Sequence, residues 1–278
     1  MRLSVGKGTS QRFGSKYFGM PEHPVADVQS LVVEREDAVL RVTLNRPARA
    51  NALDRATIDA FSAVLERRSL FDGIRALVIR GEGRNFCGGF DLSDIASLSD
   101  GDIVLRFLQI ESLLQRLYHA PYLTIACAQG NAIGAGADIF AACDYRLAAA
   151  GARFRMPGWQ FGIALGTRRL CDRVGPRIAR DLLTTSRTLT ADAALQCSFA
   201  TRVVEPESWS PLVETIVHDS QKITSDTLMG LHVLTVPDHR DADMAALVAS
   251  ALRPPGLKRR LLAYIANAGP SAPPNPQT

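Results

Sequence analysis

The chain has 278 residues, 46% of them hydrophobic and 22% charged, with a formal net charge of +4. That balance suits one large α/β domain or a domain with a small appendage. It gives no support to a nucleic-acid surface, although a local basic patch for a phosphorylated ligand stays open. No run approaches the about 18 apolar residues of a membrane span.

Residues 1–27 are polar, basic up to Glu22, and lack the apolar stretch of a secretory signal, so they read as a flexible tail. From Val28 the pattern becomes regular. SLVVERED and AVLRVTLNRP read as two antiparallel strands joined at Glu36-Asp37, and DRATIDAFSAVLERRS as an amphipathic helix with Asp54 as its N-cap. A buried strand, Ala76 to Arg80, leads into a glycine loop, followed by a helix from Gly101 to about His119. An apolar strand (YLTIACAQG), a small-residue helix (GAGADIFAACD) and a third strand (YRLAAAG) come next. This strand–helix alternation predicts an α/β fold with parallel or mixed strands. ARDLLTTSRTLTADAALQCSFATRVV adds two helical pieces and a short strand. Past Glu205, SPLVETIVHDSQKI, DADMAALVASAL and GLKRRLLAYIANA form a helical tail with no strand to pack on, suited to covering a partner subunit or the mouth of a site. Pro-rich residues 269–278 read as a disordered end. The expected division is therefore a tail (1–27), a core (28–205), a helical region (206–268) and a second tail (269–278).

Two loops stand out. NFCGGFDLSDI (85–95) and AQGNAIGAGADIF (128–140) each leave a buried strand through small residues and enter what reads as a helix. The plain reading of each is a turn. The sharper one is that backbone N–H groups are left bare, with a helix macrodipole behind them, and that two such loops aim one donor apiece at a single oxygen.

Two carboxylates sit where apolar residues are expected. In IVLRFLQIESLLQRLY, Glu111 shares a helix face with Val104, Phe107, Leu114 and Tyr118. An ionised group on that face must be paired, protonated or functional. Asp138 lies one turn into the small-residue helix; burial there suits proton transfer, and the alternative is a hydrogen bond to loop backbone. Asp91 reads as a helix cap, Asp94 as solvated, Cys87 as packing, and His119 as a helix-terminal charge. The five scattered cysteines (Cys87, Cys127, Cys143, Cys171, Cys197) form no C-x-x-C pair. They read as reduced thiols of a cytoplasmic protein with no metal site. No G-x-S-x-G elbow supports a serine hydrolase.

LNRPARANALD (44–54), FCGGFDL (86–92), AQGNAIGAGADIFAACDYRLAA (128–149) and TSRTLTADAAL (185–195) come in the order and near the spacing of the crotonase superfamily, the enoyl-CoA hydratase/isomerase fold, which the chain resembles from about Val28 to Val204. The resemblance implies a ClpP-like spiral of ββα units with a C-terminal helical trimerisation region. It also implies a homotrimer or hexamer (a dimer of trimers), and an acyl-CoA or enoyl-CoA thioester as substrate, with coenzyme A as part of that substrate and no permanently bound cofactor. It places oxyanion donors on the backbone N–H groups of Phe90 and Ala135, and acid–base chemistry on Asp138. Coenzyme A contacts fall on Arg49, Ala50, Gly89 and Gly134, with Lys258, Arg259 and Arg260 as weaker candidates.

One departure is decisive. The position of the second glutamate of a two-glutamate hydratase falls on Gly158, and the loop after it is about three residues short. Some family members carry a catalytic residue on the helix that holds Glu111. The expectation is thus an enolate-stabilising enzyme, isomerase-like rather than a standard hydratase. The alternatives are a hydratase using Asp138 with Glu111, or a non-catalytic acyl-CoA binder. Trp159, beside Gly158, fills the vacated space or lines the acyl pocket.

Overall fold

A computed structural model of the chain describes residues 30–268; the expected tails at 1–27 and 269–278 lie outside them. The larger sheet holds β1 (Leu31–Glu36), β2 (Val39–Leu44), β3 (Ala76–Gly81), β4 (Leu123–Ala128), β6 (Tyr145–Ala148) and β9 (Arg202–Val203), in the order β1-β2-β3-β4-β6-β9. The pair β1/β2 is the expected antiparallel hairpin, and every later neighbour is parallel. A smaller sheet, β5-β7-β8, is built from Asn131–Ile133, Arg153–Arg155 and Leu189–Thr190.

The chain climbs through both sheets in repeated steps. β3 is followed by the isolated pairing of Cys87 with Ala132, then helix α2 (Asp100–Tyr118). β4 is followed by β5 and α3 (Ala135–Ala142), and β6 by β7 and α4 (Thr167–Thr185). Each step lays one segment in the large sheet, one against the small sheet, and returns by a helix. This is the spiral of ββα units, and it delivers the two glycine loops to the same corner.

Local chemistry sets the boundaries. α1 (Arg55–Glu66) starts where Asp54 accepts from the Thr57 N–H, at 2.8 Å, a cap commonly worth about 1 kcal/mol. α2 opens on a capping box between Ser99 and Asp102. Its buried face, Ile103, Phe107, Ile110, Glu111, Leu114, Leu117 and Tyr118, is the predicted one, with Val104 only partly covered.

The helical tail differs from expectation in one respect. Val39, Ala76, Val78, Ile125, Cys127 and Leu147 make the outer face of the large sheet apolar as well, and Val213, Ile216 and Val217 of α6 (Trp209–Ser220) cover it. The tail therefore does have strands to pack on, as a mostly parallel sheet apolar on both faces requires. α7 (Ser225–Thr235) buries none of its side chains, α8 (Arg240–Ala251) packs on α2, and α9 (Leu257–Ala268) lies over α2 and the loop at 158–161. The short α5 (Ala191–Gln196) precedes β9. Among the described residues no helix is long and apolar enough to cross a membrane, and the five cysteines are free.

Candidate active site

The first loop takes its shape from a bridge between Leu53 and Phe90. The Gly89 carbonyl accepts from the Leu53 N–H at 2.7 Å, and the Asp91 N–H donates to the Leu53 carbonyl at 3.1 Å. Phe90 lies between those two bonds, so its own N–H faces the other way, as alternation along an extended chain dictates. Gly89 has φ of +85°, and a Cβ there would stand 2.3 Å from the Ile133 carbonyl and 3.2 Å from the Ala135 nitrogen. Only glycine lets the first loop lie this close to the second.

The second loop supplies the matching group. Gly134 precedes α3 and donates to the Arg155 carbonyl at 2.8 Å, while Ala135 is the first helical residue, whose N–H has no acceptor within its helix. Among the described residues neither the Phe90 nor the Ala135 N–H donates a hydrogen bond to protein. Both residues line a cavity of about 100 Å³ together with Gly88, Gly134, Met156, Phe161, Ile163 and Leu165.

One charged side chain enters that cavity. Asp138 lies three residues after Ala135 and so on the same helix face. Its backbone N–H is used inside α3 (2.9 Å to the Gly134 carbonyl), but its carboxyl makes no protein hydrogen bond among the described residues. Gly166, with φ of +65°, caps α4 directly against it; a Cβ on Gly166 would meet Asp138 Oδ1 at 2.0 Å. Burial is the largest influence on this carboxyl and pushes it up to about 8. The Arg169 guanidinium works against that rise and the Glu111 carboxylate adds to it.

Glu111 has a different setting from the one expected of a second acid. It is 1% exposed and does not line the cavity. Arg169 grips it with both guanidinium ends, one bond being 2.9 Å to Oε1, and Gln115 donates to the same oxygen at 2.9 Å. Arg169 also reaches Asp243 of α8 at 3.4 Å. The carboxylate on the apolar face is therefore paired, which was one of the three outcomes its burial allowed.

The remaining candidates divide. Arg49 is exposed, with no ion pair among the described residues, in a short helical turn beside Ala50, whose carbonyl accepts from the Gly88 N–H at 2.7 Å. Gly134 lines the cavity, whereas Gly89 is buried beneath it and Gly88 takes the surface position. Arg260 is occupied, donating to the carbonyls of Phe161, Gly162, Ser250 and Ala251. Lys258 bonds the Ala96 carbonyl at 2.8 Å, and Arg259 is exposed.

Asp91 caps no helix. It accepts from the Ser93 N–H in a turn and pairs with Arg46 at 3.0 Å. Asp94 is held by Arg106, whose hydrogen bonds lower its carboxyl below the ordinary range. Burial pushes the Cys87 thiol up to about 12, as its packing role implies. Gly158 lines the cavity without a side chain, and among the described residues no acid replaces it there.

Sequence reasoning missed Arg169 and Gly166; it offered the helical tail as a cover for the site mouth without saying which residues would do it, and Leu261 and Tyr264 of α9 form that roof. It also missed a file of rings in which Phe90 stacks on Phe107 (4.5 Å), with Phe161 and Tyr264 beyond. The one available signal was Glu111 itself, which demanded a cation from some other apolar helix face.

Comparison with known proteins agrees with this architecture. Residues 34–249 match the family model described as enoyl-CoA hydratase/isomerase. The short-chain-enoyl-CoA hydratase of Clostridium acetobutylicum is 30% identical over 204 residues, covering 72% of this chain and 77% of that protein. The mitochondrial Δ(3,5)-Δ(2,4)-dienoyl-CoA isomerase of Rattus norvegicus is 32% identical over 197 residues, 66% of this chain and 60% of that one. A crystal structure from Bordetella parapertussis, assigned to the enoyl-CoA hydratase/isomerases, superposes with a TM-score of 0.82 at 39% identity, covering 85% of this chain and 98% of that one. The chain belongs to the enoyl-CoA hydratase/isomerase family and is an enzyme of it.

Proposed function

We propose that the chain acts on an acyl- or enoyl-CoA thioester by stabilising its enolate, and that it moves a double bond rather than adding water. The observation that carries the reading is the lone carboxyl of Asp138, one helical turn from the Ala135 N–H, in an apolar cavity that also holds the Phe90 residue. In this scheme the thioester oxygen accepts from the Phe90 and Ala135 N–H groups, an arrangement worth roughly 3–4 kcal/mol per donor in the transition state. Ionised Asp138 removes the proton beside the carbonyl. The C–H electron pair moves onto the thioester oxygen, and Asp138, now protonated, returns the proton two carbons along. One carboxyl suffices for that exchange. Hydration needs a second group to position and split water; Gly158 offers none, and the oxygens of Glu111 are already engaged.

Arg49 serves the coenzyme phosphates in this reading, and coenzyme A arrives with the substrate. Assembly as a homotrimer or hexamer is part of the same proposal, supported by Met229, Leu231, Val233 and Leu234, which α7 leaves exposed.

The test is deuterium incorporation at the α-carbon of acyl- and enoyl-CoA thioesters in heavy water, read by mass spectrometry for wild type and Asp138→Asn. Incorporation by wild type that disappears in Asp138→Asn is the expected result. Measurable thioester binding without incorporation would make the chain a non-catalytic binder.

A further inference from the structure

We infer that Trp159 ends the acyl cavity and so restricts the enzyme to thioesters of short, uncharged acyl groups; this rests on the thioester reading above. The cavity beside Phe90, Ala135 and Asp138 holds about 100 Å³. That is well below the roughly 300–1,000 Å³ of pockets that enclose drug-sized ligands, so it suits an acyl group of a few carbons.

The space does not stop there for want of more. A second groove of about 350 Å³ runs along α4, lined by Thr167, Cys171, Pro176, Arg180, Leu183 and Thr184 together with Trp159. Trp159 and Leu183 line both spaces and so stand between them. The indole is anchored, its Nε1–H donating to Thr167 Oγ1 at 3.0 Å at the start of α4. Its neighbour Gly158 adds no side chain to the lining.

The lining also selects against charge. Apart from Asp138, no charged side chain among the described residues borders the cavity. A carboxylate at the far end of an acyl group would lie in an apolar space with no cation and beside another acid, a costly arrangement. Plain hydrocarbon instead meets Phe90, Phe107, Phe161, Leu165 and Leu261.

The test is calorimetric binding of butyryl-, octanoyl- and succinyl-CoA to the full chain, for wild type, Trp159→Ala and Leu183→Ala. Wild type is expected to bind butyryl-CoA about tenfold or more tighter than either other thioester. Trp159→Ala is expected to shift the butyryl-to-octanoyl ratio about tenfold toward octanoyl. Leu183→Ala opens the same divide from α4 and should shift that ratio in the same direction, which keeps the test decisive if one variant folds poorly. Equal binding of butyryl- and octanoyl-CoA by wild type, or a ratio unmoved in folded Trp159→Ala, would overturn the inference alone. Thioesters that bind no better than free coenzyme A would overturn the thioester reading and the inference with it.

Discussion

Glu111 and Asp138 are two carboxylates carried by apolar helix faces, one on α2 and one on α3. Around Glu111 the protein supplies Arg169 and Gln115, and every polar atom of the carboxylate is used. Around Asp138 it supplies Gly166, Ala135 and hydrocarbon, and the carboxyl is left without a hydrogen-bond donor among the described residues. Burial alone therefore does not distinguish an acid whose hydrogen bonds are complete from one left open to a ligand. The distinction lies in what the surroundings supply. A completed carboxylate holds α2, α4 and α8 together, and an incomplete one is free to take a proton from a ligand.

The sharpest way to test that contrast is at Asp138, the base of the proposed reaction. Asp138→Asn is expected to lower α-proton exchange by about 100- to 10,000-fold, with the fold retained by circular dichroism. Glu111→Gln, measured in parallel, should cost far less exchange per folded molecule; an equal loss in both would erase the contrast.

Next is the structural member. Arg169→Ala leaves Glu111 and Asp243 without their shared cation in a region that is almost fully buried. A loss of about 3–5 kcal/mol of stability follows, readable as a lower denaturant midpoint. A change under about 1 kcal/mol would show that water reaches the pair.

The acidity of Asp138 gives a prediction with a definite sign. Its native carboxyl is raised to about 8, so the base form is populated only at the alkaline end. The kcat/KM for exchange should climb as pH rises toward 8 and level off above it. Stability runs the other way. Between the ordinary carboxylate range near about 4 and about 8, the native state holds a proton that the unfolded chain has lost, so this residue makes the fold less stable as pH rises through that window. Urea midpoints at several pH values, compared with Asp138→Asn, isolate the contribution. A pH-independent difference would place Asp138 in an ordinary setting.

The smallest effect is expected outside the cavity. Arg49 is exposed, so Arg49→Ala should weaken thioester binding by only about two- to fivefold, and less as salt is raised. Titration calorimetry at two ionic strengths checks it.

Much of this was legible beforehand because it is local. The Asp54 cap, the buried face of α2 and the strand–loop–helix entry of the second glycine loop follow from neighbours within a turn or two. The first loop instead runs through a turn and reaches α2 only at Asp100, with no helix directly behind Phe90. The partner of Glu111 was not legible, since Arg169 lies 58 residues further on and nothing in TRRLCDR marks which arginine turns inward. The choice of Gly88 rather than Gly89 at the cavity surface depends on the close approach of Ile133, a tertiary fact. The helix α7 escaped notice because its apolar residues do not gather on one buried face. The roof from α9 depended on knowing where Arg260 would dock.

In the proposed scheme the Phe90 and Ala135 donors belong to peptide bonds, not to side chains. Natural variation can rewrite the residues bearing them and still pass the same two N–H groups down a lineage, provided the carbonyl of Ile133 finds no Cβ at position 89. The chemistry proposed for this corner depends on a vacancy beside it, so substitution should be arrested at Gly89.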